Sequence, residues 1–204
     1  YISATTYPSL KTYPTGAKGI VSVFESGATP YVWKTPNFTR PASSNLQVYE
    51  LLVRDFVADR RYKTVADSLG YLKKLGINAI ELMPVAEFSG NDSWGYNPIF
   101  YTAPDKAYGT KNDLKYLIDK CHVNGMAVIM DIVLNQADYE NPYVKMYWDG
   151  SKPVATSPFF NPSATHPYSV FFDFNHESVH TQWLVDAVTK FWLEEYKIDG
   201  YRFD

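Results

Sequence analysis

Residues 110–135 have the sequence TKNDLKYLIDKCHVNGMAVIMDIVLN, and this stretch decides the fold. Thr110 and Asp113 have the spacing of a capping box, which predicts a helix that begins after Thr110. Gly125 predicts the end of that helix, because glycine adopts the left-handed backbone conformation of a C-terminal cap without strain. The apolar run at residues 126–135 predicts a strand that is buried on both faces. A helix followed directly by a buried strand is typical of α/β folds.

The same alternation extends on both sides of this stretch. Apolar runs predict further strands at residues 46–56, 77–85 and 198–204. Two more helices are predicted between the strands, one from a capping box at Thr64 to Gly76 and one over residues 179–196. Strands that alternate with helices imply a parallel sheet with right-handed crossovers.

Two architectures fit this pattern, an open doubly wound sheet and a (β/α)8 TIM barrel. The sequence contains no G-x-G-x-x-G motif, which the dinucleotide-binding form of the doubly wound sheet would carry after its first strand. The long polar and aromatic segments all follow the carboxyl ends of strands, where barrel enzymes place their active sites. We therefore predict about the first four strands of a TIM barrel. An irregular insertion follows the third strand, at about residues 136–178, and the remainder of the barrel is needed to complete the fold.

Residues 1–45 differ in composition from the rest of the chain. They are rich in Thr, Ser, Pro and Gly, with strand-like runs at residues 19–25 and 31–34. We interpret them as a linker or as the tail of an upstream β domain. Residues 46–204 are then the first half of the barrel.

Composition excludes several classes of function. The chain has 19 basic and 22 acidic residues and a net charge of -3, whereas proteins that bind nucleic acid are basic. No apolar run reaches the length of about 20 residues that a membrane-spanning helix needs. One cysteine, Cys121, permits neither an intrachain disulfide nor a cysteine-based zinc site. Aromatic residues make up 17% of the chain, which suits sugar rings and protein partners alike.

Charged residues lie at the ends of two predicted strands. Arg202 and Asp204 point to the same face of their strand, and Asp131 shares a face with Val133 and Asn135 on the preceding strand. If the strands are neighbours, the three charged side chains converge at the barrel mouth, and the guanidinium lowers the pKa of both carboxyl groups. A rigid, ionised carboxylate is suited to act as a nucleophile. The alternative is an ion-pair network that only closes the end of the barrel.

Five segments resemble motifs of the α-amylase superfamily, glycoside hydrolase family 13, in the family's order. They are Tyr49–Phe56, Trp94–Pro98, Asp131–Asn135, Asp173–Asn175 and Gly200–Asp204. The resemblance covers about residues 46–204. It implies a retaining mechanism on α-1,4-glucans such as starch, glycogen and maltooligosaccharides.

The resemblance also implies roles for single residues. Asp204 would be the nucleophile, Arg202 would orient and ionise it, and Asp131 would support Arg202. Tyr96 would stack on the sugar ring at the cleaved bond, and Trp94 would extend that aromatic wall.

Two further residues concern a metal ion and the first sugar. Asn135 matches a calcium ligand of the family, although a calcium site needs about 6–8 oxygen ligands. Gln136 occupies the position of a histidine that contacts the bound glucose in the family. A glutamine side chain can hydrogen-bond a hydroxyl, but it carries no proton-linked charge.

Retaining hydrolysis requires a second carboxyl group as the acid. In the family this is a Glu after the fifth strand, so residues 1–204 are expected to be inactive alone. Two alternatives stay open, a non-catalytic glucan-binding or scaffold protein on the same fold and an α-glucan transglycosylase. The substrate class favours a secreted, periplasmic or cell-surface location over a cytoplasmic one.

His176-Glu-Ser-Val-His180 is a literal H-E-x-x-H motif, the zinc-binding pattern of metalloproteases. That pattern works only when both histidines lie on one helix. Ser178 is a candidate helix N-cap, which would leave His176 outside the helix. A zinc metalloprotease is therefore the remote alternative.

Overall fold

The computed structural model describes residues 15–16 and 26–204. Its elements follow in chain order: a 3-10 helix (Ser43–Asn45), β1 (Val48–Leu51), α1 (Val53–Phe56), α2 (Tyr62–Lys74), β2 (Ala79–Leu82), β3 (Ala86–Phe88), β4 (Pro98–Pro104), α3 (Lys111–Val123), β5 (Ala127–Ile132), β6 (Gln136–Ala137), α4 (Pro142–Met146), β7 (Phe172–Asp173), α5 (Val179–Glu195) and β8 (Gly200–Phe203). None of these helices is long and apolar enough to cross a bilayer.

The centre of the fold is a four-stranded parallel sheet in the order β1-β2-β5-β8. The spatial order of the strands follows the chain without a reversal. Right-handed crossovers then place all the connecting helices on one face of the sheet. A doubly wound sheet reverses its strand order and carries helices on both faces, so this order is that of a barrel wall.

Helix α3 forms as the sequence predicts. The Thr110 side chain accepts a hydrogen bond from the backbone N–H of Asp113, and the Asp113 carboxylate accepts one from the backbone N–H of Thr110. Gly125 follows the helix with a φ of 75°, which favours glycine. The predicted apolar face is buried against the sheet and comprises Leu114, Leu117, Ile118 and Cys121.

The second predicted capping box is wrong. Helix α2 begins at Tyr62, and Thr64 lies inside its first turn. The Thr64 hydroxyl donates to the Asp59 carboxylate at 2.6 Å, so it does not cap the helix. The backbone N–H of Tyr62 instead donates to the carbonyl of Tyr108 at 3.1 Å. A distant backbone carbonyl therefore accepts the hydrogen bond of a free N–H at the start of α2, where the sequence pattern predicts a local side-chain cap.

Other boundaries also differ from the prediction. The first strand ends at Leu51, because the N–H groups of Asp55 and Phe56 bond back to the Leu52 carbonyl and form the short helix α1. The sequence predicts an irregular insertion after β5 and no strand between β2 and α3. These two segments contain two antiparallel ribbons, β3 with β4 and β6 with β7.

The strand predicted at residues 31–34 is not formed. There the Tyr31 hydroxyl and the backbone N–H groups of Lys34 and Thr35 donate to the carboxylate of Asp119 on α3, at 3.0–3.1 Å. The other predicted run, residues 19–25, lies outside the described residues. The assignment of residues 1–45 to a linker or to an upstream β domain stays a prediction.

The apolar core lies between the sheet and its helices. Its largest buried side chain is Trp192 of α5, whose indole N–H donates to the carbonyl of Tyr101 on β4 at 2.7 Å. This bond satisfies the one polar atom of a buried tryptophan. It also joins the last helix to the ribbon that follows the second strand.

The contrast between the two threonines is testable. Replacing Thr110 with Ala removes a capping box, so we expect a loss of about 1 kcal/mol in unfolding free energy, or a melting temperature lower by roughly 2–4 °C. Thr64→Ala removes no cap, and we expect a change of about 0.5 kcal/mol or less. Thermal unfolding of both variants provides the measurement. Equal losses would show that Thr64 caps α2 after all.

Candidate active site

Asp131 and Arg202 face each other on adjacent strands. They are register partners in the β5–β8 pair. One guanidinium nitrogen of Arg202, Nη1, donates to both carboxylate oxygens of Asp131, at 3.2 and 3.3 Å. The same nitrogen donates to the Asp204 carboxylate. The structure thus brings together the three charged residues that strand periodicity predicted to converge.

Tyr96 joins this group from the loop between β3 and β4. Its hydroxyl donates to Oδ2 of Asp131 at 2.7 Å. Burial raises the pKa of the Tyr96 hydroxyl, and the bond to Asp131 raises it further, so the tyrosine stays protonated. Asp131 therefore accepts hydrogen bonds from one neutral donor, Tyr96, and one charged donor, Arg202.

The pKa of Asp131 moves in the direction opposite to the sequence prediction. We expected the guanidinium to lower it. Asp131 is 0% exposed, and burial raises the pKa of its carboxyl group, with partial compensation from Tyr96 and Arg202. Loss of water disfavours the charged form more than these donors stabilise it.

Two glutamates that the sequence analysis did not select lie next to Asp131. Glu50 and Glu81 are register partners on β1 and β2, and carboxylate oxygens of Glu50, Glu81 and Asp131 lie within 4.8 Å of one another. Burial and the charges of the other two acids raise the pKa of Glu81. The signal in the sequence was a single glutamate inside each of two apolar strands. We assign no metal ion to this cluster, because acidic groups of this kind are common without one.

The remaining predicted residues occupy different positions around this centre. The Gln136 side chain is buried and donates from Nε2 to the carbonyl of Tyr96 at 2.7 Å. Trp94 is 61% exposed on the same loop as Tyr96. Asn135 lies at the end of β5, and its Oδ1 is buried without a hydrogen-bond partner.

The unpaired oxygen of Asn135 is the kind of atom that a cation would bind. Calcium takes about 6–8 oxygens, however, and Asn135 supplies one. Among the described residues, the group of three or more acidic, His or Cys side chains is Glu50, Glu81 and Asp131, which does not include Asn135. Asn135 alone does not make up a calcium site, and calcium binding there stays a prediction.

The H-E-x-x-H segment does not form a zinc site. Helix α5 begins at Val179 and is capped by Ser178, as the sequence predicted. His176 therefore lies before the helix, and its Nε2 hydrogen-bonds the carbonyl of Leu134 at 2.8 Å. His180 lies in the first turn of α5, so the two histidines are not one turn apart on a common helix.

The base of the β3–β4 ribbon is a buried charge cluster. Oxygens of the buried Asp105 carboxylate accept the backbone N–H groups of Ala107 at 2.7 Å and Phe88 at 3.2 Å. The ammonium of Lys106 contacts Glu87 and lies 3.8 Å from Asp105. Burial, and then the charge of Glu87, raise the pKa of Asp105 to about 7. This cluster anchors the ribbon from which the Tyr96 loop projects.

Comparison with known proteins identifies the family. Residues 59–167 match the family model "Alpha amylase, catalytic domain". The chain belongs to the α-amylase family. The match includes Trp94, Tyr96 and Asp131, and it ends before Arg202 and Asp204.

Relatives extend the similarity over nearly the whole chain. A malto-oligosyltrehalose trehalohydrolase from Saccharolobus solfataricus is 28% identical over 97% of this chain. A chloroplastic/amyloplastic 1,4-alpha-glucan-branching enzyme from Arabidopsis thaliana is 35% identical over 85% of it. The chain spans 33% and 22% of the length of these two relatives.

A solved structure shows the same architecture. Type I pullulanase from Bacillus subtilis, crystallised with maltose, superposes on 86% of this α-amylase-family chain with a TM-score of 0.71 and 27% identity, over 29% of its own chain. The four parallel strands are thus part of a (β/α)8 barrel. Asp131 and Arg202 lie on neighbouring strands of its wall.

The raised pKa of Asp105 predicts a pH dependence of stability. Between pH of about 4 and 7 the folded protein holds a proton that the unfolded chain has lost, so stability falls as pH rises. The Asp105→Asn variant has no carboxyl group at this position, so it does not lose this stability. As pH rises from about 4 to 7, we expect the unfolding free energy of the variant minus that of the parent to increase by an amount on the order of 1–3 kcal/mol.

Asp149 provides a control of opposite sign. Backbone N–H groups of Lys152 and Ser151 lower the pKa of its exposed carboxyl group. Asp149→Asn should therefore lose its difference from the parent as the solution becomes acidic. Denaturant titrations at several pH values measure both variants. Parallel pH profiles for Asp105→Asn and the parent would contradict the assigned pKa.

Proposed function

We propose that the protein is a retaining glycoside hydrolase that acts on α-1,4-glucans, with Asp204 as its nucleophile. The observation that carries the proposal is the single guanidinium nitrogen of Arg202 that contacts both Asp131 and Asp204, while the Tyr96 hydroxyl donates to the same Asp131 carboxylate. Family membership supports it, since the motifs that resemble the family's catalytic segments contain these four residues.

The chemistry follows from the charges. The Asp204 carboxylate attacks the anomeric carbon, and the bond to the leaving oxygen breaks as a second carboxyl group protonates that oxygen. Water then cleaves the resulting glycosyl ester. Arg202 fixes the direction of the Asp204 carboxylate by a hydrogen bond, and this bond raises the pKa of the Arg202 guanidinium. None of the residues described above is assigned the acid role.

The aromatic side chains provide a platform for the sugar. Tyr96 is partly exposed, and its ring is held at the hydroxyl by Asp131. A partly exposed ring bonded to Asp131 suits the apolar face of a glucose unit. Trp94, two residues away and mostly exposed, would extend this surface to the next sugar.

The substrate class rests on the relatives and on one ligand. The two relatives carry names for trehalohydrolase and glucan-branching activities, and the pullulanase structure contains maltose. All three names concern α-glucans. Because the names include hydrolysis and glycosyl transfer, hydrolysis and transglycosylation are both consistent with the family. From the substrate class we also propose a secreted, periplasmic or cell-surface location.

Calcium belongs to the proposal through one atom. Asn135 Oδ1 is buried and unpartnered at the end of β5, which is compatible with one bond to a cation. The proposed reaction does not depend on it.

The nucleophile is tested by Asp204→Asn in the full-length protein. We expect the rate of maltooligosaccharide hydrolysis to fall by about 10³-fold or more, because an amide cannot form the glycosyl ester. Asp186→Asn, an exposed change on α5, is the matched control and should keep the parental rate. Reducing-end release measured with time gives both rates.

Three outcomes separate the alternatives. Parental turnover by Asp204→Asn would remove Asp204 from the nucleophile role. A parent that binds maltooligosaccharides without turnover would be a glucan-binding or scaffold protein. Longer or branched products in chromatography would identify a transglycosylase.

A further inference from the structure

The Gln136 side chain is bonded to the backbone of Tyr96. Its Nε2 donates to the Tyr96 carbonyl at 2.7 Å, and the side chain is 6% exposed. Its own backbone carbonyl accepts from the hydroxyl of Tyr101 at 2.7 Å. The residue is therefore fixed at two points before any sugar binds.

Neighbouring bonds attach the start of the insertion to the strand that follows Tyr96. The N–H of Asp138 donates to the Pro98 carbonyl at 3.0 Å, and Nδ2 of Asn141 donates to the Ile99 carbonyl at 3.1 Å. Among these bonds, that of Gln136 is the one made to Tyr96 itself. It joins the insertion to the residue that carries the site's ring.

Tyr96 is thereby held at both ends. Asp131 binds its hydroxyl at 2.7 Å, and Gln136 binds its carbonyl at 2.7 Å. The preceding Gly95 lies directly against Pro84, because a Cβ at this position would be 2.6 Å from the Pro84 carbonyl oxygen. Fixing the main chain and the hydroxyl together sets the position and the long axis of the ring.

We propose that Gln136 is a positioning residue that acts on the sugar through Tyr96. The inference rests on the proposed function and changes the role expected for this residue, which was direct contact with glucose. The essential property is the amide N–H donor, because the partner is a carbonyl oxygen that can only accept. A side chain of equal shape without that donor releases the carbonyl.

Gln136→Glu is the sharpest variant, since it preserves shape and turns the donor into an acceptor. We expect kcat/KM of the full-length protein for maltooligosaccharides to fall by about 10-fold or more. Gln182→Glu is the matched control. Gln182 also donates to a backbone carbonyl, that of His176 at 2.9 Å, but on the exposed first turns of α5, and we expect a change of about 2-fold or less.

A double-mutant cycle shows whether Gln136 acts through Tyr96. In a Tyr96→Ala background the added Gln136→Glu change should cost about 2-fold or less, because the ring to be positioned is gone. A loss equal to that in the parent would overturn the proposal and favour direct contact with the sugar. Melting temperatures of all variants identify any that fail to fold, and Gln136→Leu, which removes the donor without adding charge, then replaces Gln136→Glu.

A readout independent of activity completes the test. In a crystal structure of the Gln136→Glu variant of the full-length protein, the Tyr96 hydroxyl should lie beyond about 3.5 Å from Asp131 Oδ2. An unmoved tyrosine would contradict the proposal even if activity were lost. If the parent shows no turnover, the proposed function fails, and the position of Tyr96 still decides the role of Gln136.

Discussion

The site depends on the hydrogen bonds that the guanidinium of Arg202 donates to Asp131 and Asp204. The guanidinium is the cation beside a carboxyl group that is 0% exposed, and the same nitrogen reaches the Asp204 carboxylate. Removing the guanidinium would leave the charge of the buried Asp131 carboxylate without its cation. The contact exists only when β5 and β8 pair in parallel, with Asp131 opposite Arg202. The register of β5 and β8 therefore determines the geometry of the site.

The rest of the structure holds the Tyr96 loop against this centre. The ribbon below the loop is anchored by the Asp105 cluster, and the indole of Trp192 binds the Tyr101 carbonyl. The insertion binds the Tyr96 backbone through Gln136. Each of these contacts comes from a different part of the chain. The position of Tyr96 therefore depends on the packing of the sheet, the insertion and α5 together.

Much of this could be predicted from the sequence, for a physical reason. Strand periodicity placed Arg202 and Asp204 on one face, and the capping box at Thr110 depends on residues three positions apart. Thr64 has the same local pattern and failed, because a backbone contact from Tyr108 took over the role of the cap. A local sequence pattern predicts local structure only where no distant group competes for the same hydrogen bonds.

The parts that could not be predicted are long-range. The hydrogen bond between Gln136 and Tyr96 joins residues 40 positions apart, and no sequence pattern in either segment predicts it. The rise in the pKa of Asp131 depends on burial, which the guanidinium alone did not reveal. Glu50 and Glu81 were visible as single charges in apolar strands, but their approach to Asp131 depends on the strand register.

In the proposed mechanism, the carboxylate held by Arg202 forms the covalent bond to the sugar. The most direct measurement is to trap the intermediate of the full-length protein with a fluorinated glucosyl fluoride, which forms the ester faster than water cleaves it, and to map the label by peptide mass spectrometry. We expect one label per molecule, on Asp204. A label on another carboxylate, with Asp204 unmodified, would contradict this mechanism.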